Sequence, residues 1–376
     1  MKTMILSTDD LRTIVQAVGL DALMDHLIKR LLEAFQSFDP VQTVVPLRAG
    51  FQYAEPQPGL IEWMPVMRAG EAVALKIVGY HPGNPRRHAL PTILSTISAY
   101  DPANGHLIGL ADATFLTALR TGAASAIASR FLAAEKASIL GLIGAGAQAV
   151  TQLHALTREF ELKKVLVYDA DPAISDSFLE RVAFLGLDIK PIGASELPHL
   201  VTTSDIICTA TSVERGAGPV FQDGATKPWL HVNAGGADFP NKTEIPRSFL
   251  ERSLVCPDFP EQARQEGECQ YLAPAQIGPS LVEVVQQPEQ FAWARQTTTV
   301  FDSTGWALED HVALEMMLDY AAELKLGTPL QIETTSIDPY NPYQFVAETP
   351  RSAAVNGHHL FLSDGVESVT HLARRL

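Results

Sequence analysis

The segment from Ser138 to Asp169 constrains the fold of this chain more than any other. An apolar run, Ile139-Leu140-Gly141-Leu142-Ile143, leads into Gly144-Ala145-Gly146-Ala147-Gln148-Ala149, then a helical stretch, then Val165-Leu166-Val167-Tyr168-Asp169. The order is strand, glycine turn, helix, strand, acid, and each part has a physical task in a dinucleotide-binding βαβ unit. Gly144 permits the tight turn, Gly146 lets the backbone approach a pyrophosphate, and Ala149 is small enough for the helix to pack on the strand. The helix N-terminus, with its free N–H groups and positive dipole end, faces the phosphates. Asp169 closes the second strand, where a carboxylate accepts ribose hydroxyls and repels a 2′-phosphate, so NAD is expected rather than NADP. The glycine pattern alone would be weak; the strand before it and the acid after it make the reading specific.

A chain of 376 residues exceeds what one core usually serves, so two domains are expected. With 46% hydrophobic and 19% charged residues the composition is globular, and the net charge of −15 argues against nucleic acid or an anionic membrane surface as a partner. Cys208, Cys256 and Cys269 are far apart and lack metal-ligand spacing. Neither a disulfide framework nor a metal site is indicated, and buried small hydrophobes are the expectation for all three. The first ten residues show no basic segment followed by an apolar one, and no apolar run reaches membrane-spanning length, so a cytoplasmic protein is expected.

Ahead of the glycine turn, Ser7 or Thr8 can cap a helix through Val18, which Gly19 breaks. A second helix, roughly 21–38, puts Leu23, Leu27, Leu31 and Phe35 on one face. Short apolar or alternating runs at 41–47, 60–66, 72–78, 92–100 and 106–110 read as a mostly antiparallel sheet, with turns at Gly83-Asn84-Pro85 and at 101–105. An Ala-rich helix over 112–134, interrupted near Thr121-Gly122, leads into the nucleotide unit. An α/β rhythm then continues through strands near 187–191, 206–209, 230–232, 254–255 and 299–301. A helix over 308–326, with Ala313, Met316, Met317, Tyr320 and Leu324 on its apolar side, is stopped by Gly327 and is expected to pack back on the first part of the chain. The expectation is an α/β protein: a Rossmann-like domain over 126–304, and a discontinuous α+β substrate-binding and dimerisation domain over 1–125 and 305–376. The tail from Thr328 carries no readable motif, and surface wrapping or partial disorder is expected of it.

Several charges stand where the pattern prefers apolar residues: Lys76 inside Ala72–Val78, Glu62 inside Leu60–Pro65, and Arg120 in the otherwise uncharged Phe115–Ala128. Burying such a charge is costly unless it is paired, so each needs a partner or a ligand, or else is a solvent-facing or salt-bridged residue. Asp238, in Asn233-Ala234-Gly235-Gly236-Ala237-Asp238, follows a strand at the edge where doubly wound sheets hold ligands and could shuttle protons; an Asx turn is the plainer alternative. Phe301-Asp302-Ser303-Thr304-Gly305 forms a second such loop. His81, His88, His106 and His358-His359 lack ligand spacing and read as surface residues.

Five segments together resemble the ornithine cyclodeaminase/mu-crystallin family, in the family's order and nearly to residue 327. They are Leu116–Ser125, Gly144-Ala145-Gly146-Ala147-Gln148, Gly236-Ala237-Asp238 with Lys242-Thr243-Glu244, Glu266-Gly267-Glu268, and Phe301–Gly305. Gly59–Pro65 and Leu75–Pro85 look most like the bacterial cyclodeaminases, the lysine enzymes somewhat nearer than the ornithine ones. The resemblance implies that Arg48, Lys76 and Arg120 hold the substrate α-carboxylate, that Asp238 is the catalytic acid/base, and that Glu62 lies near the side-chain amine of a diamino acid. It places Thr304 against substrate, and Thr92, Thr121, Ala147, Gln148, Asp169, Thr211, Asn233, Lys242 and Ser303 against the cofactor. Thr304 stands where an ornithine enzyme of the family carries Val, and the tail beyond Gly327 matches nothing.

The implied chemistry takes L-lysine or L-ornithine to pipecolate or proline. NAD accepts the Cα hydride, the terminal amine attacks the resulting imine, ammonia leaves, and the hydride returns. A homodimer formed through the first domain's sheet is also implied. The same scaffold serves imino-acid or ketimine reductases and N-substituted amino-acid dehydrogenases, for which Glu62 would have no amine to meet, and crystallin-like NAD(P)H-binding proteins.

Overall fold

The structure, a computed structural model, describes residues 1–347. The wrapped or disordered tail expected from the sequence falls mostly on residues 348–376, outside the described residues, as do His358 and His359. The chain divides into two units, Met1–Ile332 and Glu333–Leu376. In the second, the described residues include one short helix, Gln344–Ala347. The first unit holds both sheets and every site residue singled out from the sequence.

Two helices open the chain after strand β1 (Thr3–Leu6): α1 (Thr8–Val18) and α2 (Leu20–Gln36). Ser7 and Asp10 form a reciprocal capping box at the start of α1, and Gly19 separates the helices. The i, i+4 series Leu23, Leu27, Leu31, Phe35 is fully buried, as its spacing predicts.

The first sheet contains β1, β2 (Thr43–Val44), β3 (Ala49–Tyr53), β4 (Gly59–Arg68), β5 (Ala72–Tyr80), β6 (Ile93–Tyr100), β7 (Leu107–Asp112) and β15 (Thr328–Leu330). Its order is β15-β1-β7-β6-β5-β4-β2 with β3 alongside β4, and among these pairs β1–β7 is parallel while the others are antiparallel. The single strand expected over 41–47 shrinks to two residues. The stretch that pairs with β4 is instead 49–53, whose residues are nearly all exposed and so lack the alternation that reveals a strand. Gly83-Asn84-Pro85 is not a simple turn but the start of a short helix, α3 (Asn84–His88), because proline is favoured in a first helical turn.

The second sheet is parallel throughout, built from β8 (Ile139–Ile143), β9 (Lys164–Tyr168), β10 (Ile189–Pro191), β11 (Ile206–Thr209), β12 (His231–Ala234), β13 (Leu254–Pro257) and β14 (Thr299–Asp302). The order β10-β9-β8-β11-β12-β14-β13 reverses direction at β8, the switch point of a doubly wound fold. The glycine turn and α5 (Ala147–Glu159) follow β8 there.

Helix α4 (Thr114–Leu132) joins the sheets and runs without the expected interruption at Thr121-Gly122. Gly122 marks a close helix crossing: a Cβ there would lie 2.4 Å from the Thr151 carbonyl oxygen of α5. The helix Ala307–Leu324 packs against α1, α2, α4, β4 and β5, as expected from its apolar side. Leu324, placed on that side, is exposed, while Glu309, Asp310 and His311 are buried. The helix ends with Lys325 in a left-handed conformation, before Gly327.

Candidate active site

The alternation of β4 and β5 decides which charges turn inward. Even-numbered residues, Glu62, Met64 and Val66 on β4 and Ala74, Lys76 and Val78 on β5, share one face; Ile61, Trp63, Met67 and Ile77 share the other. Lys76 therefore does not interrupt the strand pattern but belongs to its buried face. That face looks onto a cavity of about 350 Å³, whose wall also includes Arg48, Arg120, Thr121, Gln148, Asp238, Lys242, Ser303 and Thr304. Residues singled out from the first sheet, α4 and the strand-end loops of the second sheet thus meet in one place.

Partners for the cations come from a helix whose sequence pattern pointed to packing rather than chemistry. Lys76 Nζ pairs with Asp310 Oδ2 at 2.6 Å. Arg120 donates from Nε to Asp310 Oδ1 at 2.9 Å and from Nη1 to Glu309 Oε2 at 2.9 Å. Burial pushes Glu309 up to about 8 against the attraction of Arg120, and lowers Lys76 to about 8 against the attraction of Asp310. Burial also acts on Asp310, but Arg120 and Lys76 together hold it below the usual carboxylate range. One ionised Asp310 shared by two cations leaves this end of the cavity positive. The signal in the sequence is two adjacent acids, Glu309 and Asp310, in the first turn of a helix whose other acids, Glu315, Asp319 and Glu323, fall farther along it.

Arg48 pairs through Nε with Glu266 Oε1 at 2.8 Å and through Nη1 with Glu62 Oε2 at 3.7 Å, and its Nη2 donates to the carbonyls of Thr304 and Gly305. Burial raises Glu62 and raises Glu266 to about 8, in both cases against Arg48. Asp238 lies 2.9 Å from Lys242 Nζ, which sits 5.2 Å from the centre of the Tyr80 ring. Thr304 turns its hydroxyl away from the cavity: it donates to Asp258 Oδ1 and accepts from Gln262 Nε2, both at 2.9 Å.

The remaining positions vary in how they reach the site. Asp169 accepts the Ala145 and Asp171 N–H groups at 2.8 and 2.9 Å and so clasps the glycine turn. Arg181, which no local pattern marks, donates to the Ala145 carbonyl at 2.7 Å beside it. Thr121 Oγ1 donates to the Thr117 carbonyl, and the Thr92 carbonyl accepts from His81 N at the entry to β6. Thr211 gives both its N–H and its hydroxyl to Glu244. Asn233 is not brought to the cavity wall; it is buried in β12, bonded to Ser129 and His231.

The strand-end edge fits a dinucleotide. Gly144 has φ +94° and abuts the Ala210 carbonyl, whereas among the described residues nothing lies within 4 Å of where a Gly146 Cβ would be. That leaves the start of α5 open to a phosphate. Among the described residues, Gln148 Oε1 and Ser303 Oγ are buried without hydrogen-bond partners, and both residues line the cavity.

The family description "Ornithine cyclodeaminase/mu-crystallin family" matches residues 9–325, and the chain belongs to that family. It is 43% identical over 344 residues to the L-lysine cyclodeaminase of Streptomyces rapamycinicus, covering 91% of this chain and 99% of that protein. A solved lysine cyclodeaminase, studied for recognition of L-lysine, L-ornithine and L-2,4-diaminobutyric acid, superimposes with a TM-score of 0.89 at 46% identity, over 92% of this chain and all of that one. An archaeal alanine dehydrogenase dimer with bound NAD superimposes with a TM-score of 0.78 at 28% identity, over 89% of this chain and 100% of that one.

Proposed function

We propose that this protein is an NAD-dependent cyclodeaminase, an ammonia-lyase that converts L-lysine to L-pipecolate and accepts L-ornithine as the alternative substrate. The carrying observation is one cavity in which Arg48, Lys76 and Arg120 meet the carboxylates of Glu62 and Asp238, bordered by Gln148 Oε1 and Ser303 Oγ of the dinucleotide edge, which have no hydrogen-bond partner among the described residues. The 43% identity to a lysine cyclodeaminase orders the substrates.

The positive end made by Lys76 and Arg120, with Arg48, receives the α-carboxylate and thereby fixes Cα. Asp238 takes a proton from the α-amine and later delivers one to the departing ammonia. Glu62, raised by burial, accepts a proton from the side-chain ammonium and leaves that nitrogen nucleophilic. When bound, NAD supplies the acceptor that takes the Cα hydrogen with its electron pair and gives it back. Thr121, Gln148, Ser303 and Lys242 border that cofactor on the cavity side; Thr92, Ala147, Asp169, Thr211 and Asn233 complete the set carried by the family resemblance. Thr304 contributes shape rather than its hydroxyl, which Asp258 and Gln262 engage.

Residues 126–304 serve the cofactor, and 1–125 with 305–376 serve substrate and dimerisation. The outward face of the first sheet exposes Phe51, Ile61, Met67, Ile77 and Leu94, an apolar surface suited to a second copy of this chain. The three cysteines are buried and free, which suits a reducing, cytoplasmic setting. Among the described residues no helix is long and apolar enough to cross a membrane.

Incubation with α-deuterated L-lysine or L-ornithine and a catalytic amount of NAD+ tests the reading. Ammonia release with deuterium retained at Cα of a cyclic product is expected. Stoichiometric NADH without ring closure would replace this reading with the dehydrogenase one.

A further inference from the structure

Three acids in the family-like segments, Asp302, Glu268 and Glu244, are fully buried and form a ladder of main-chain clamps. Asp302, at the end of β14, accepts the N–H groups of Glu268 at 2.9 Å and Cys269 at 2.8 Å. Glu268 in turn accepts those of Glu244 at 2.7 Å and Ile245 at 3.3 Å. Glu244 then spans two loops. Its Oε1 takes the Thr211 N–H at 2.7 Å and the Thr211 hydroxyl at 2.6 Å. Its Oε2 takes the Gly236 N–H at 2.7 Å and the Thr209 hydroxyl at 2.6 Å.

The loop after β11 carries Thr211, and the loop after β12 carries Gly236 and, two residues on, Asp238. Close approach explains the glycine: a Cβ on Gly236 would lie 2.4 Å from Glu244 Oε1. A carboxylate suits this position because all four of its neighbours are donors. An amide would set its own N–H groups against one pair of them. The Gly235 N–H donates to the Thr209 carbonyl at 2.9 Å where the sheet ends, and beyond that bond the carboxylate bridges Thr211 and Gly236, extending the register into both loops.

We propose that Glu244, backed by Glu268 and Asp302, is a positioning residue that sets the Asp238 loop against the Thr211 loop, and so places the acid/base group relative to the cofactor edge. The inference rests on the cyclodeaminase reading for Asp238. Glu244 touches no reacting atom in this scheme; it acts through the two loops.

The test is Glu244→Gln in the full-length protein, read by amide hydrogen exchange and by steady-state kinetics. Exchange should quicken by about tenfold in peptides covering 209–213 and 234–238, with β4 and β5 unchanged. With L-lysine, kcat should fall by about 100-fold, the scale of a displaced catalytic group. The KM for lysine should stay within about threefold, because Arg48, Lys76 and Arg120 are held by other partners. Glu244→Asp keeps the charge but shortens the reach, and is expected to show the same split if Glu244→Gln does not accumulate folded. Wild-type kcat in a folded variant, or a joint change in kcat and KM without faster exchange in the two loops, would overturn the inference. Wild-type protein that cyclises neither lysine nor ornithine would overturn the functional reading instead, while the exchange result would still judge the ladder.

Discussion

Buried acids are handled in opposite ways on the two sides of the cavity. At the edge of the parallel sheet, Asp302, Glu268 and Glu244 are satisfied chiefly by main-chain N–H groups, which stay where the backbone puts them. Against the antiparallel sheet, Asp310 and Glu309 are satisfied by Lys76 and Arg120, side chains that can share themselves with an arriving carboxylate. Main-chain donors fix loops; side-chain cations form a receptive surface with a positive remainder. One side is built to hold still and the other to bind.

The sharpest test of that division is Asp238→Asn, which removes the proposed proton carrier from the fixed side. Turnover should drop by about a thousandfold while NAD binding, followed by calorimetry, persists. Near wild-type turnover would remove Asp238 from the acid/base role. Arg120→Ala attacks the receptive side. Lysine KM should rise by about 100-fold, and thermal unfolding should show a loss of about 3 kcal/mol, because Glu309 is left buried without its cation and Asp310 keeps only Lys76. An unchanged KM would take Arg120 out of the carboxylate clamp.

A smaller effect is expected at Asp169. The double change Asp169→Ser with Ala170→Arg should admit NADP, improving its kcat/KM by about tenfold, with a cost in turn rigidity because Asp169 also accepts the Ala145 N–H. Undiminished preference for NAD would place the selectivity elsewhere. The smallest effect concerns pH. Glu309, raised to about 8 in the folded protein, binds a proton there that the unfolded chain releases nearer its ordinary value of 4.5. Its contribution to stability is complete below that value and is lost as pH rises through about 8. Glu309→Gln should therefore flatten the fall in melting temperature between roughly pH 5 and 8, and an identical slope in the variant would contradict the raised value.

Local signals carried much of this. The glycine turn, its flanking strands and Asp169 were legible because turn geometry and strand alternation depend on near neighbours in the chain. Lys76 and Arg120 were legible as misfits needing partners. What failed to show was where contact across the chain gives a residue its meaning. Gly122 looks like a helix break until α5 is laid against it. Residues 49–53 look like loop because no buried face marks them, yet they pair with β4. The sequence does not show that the Thr304 hydroxyl is engaged by Asp258 and Gln262, residues 46 and 42 positions away.

By itself the sequence determined the nucleotide-binding unit, the placing of Glu62 and Lys76 on strands, and the need for something to neutralise Arg120. Only the tertiary structure decided that the partners of Arg120 are Glu309 and Asp310, the latter 190 positions away. Likewise, only the fold turns the acids of three separate segments into one ladder beneath Asp238. Periodicity records which face of an element is buried. It does not record which distant charge or N–H that face will meet, because that depends on how the sheets and helices pack.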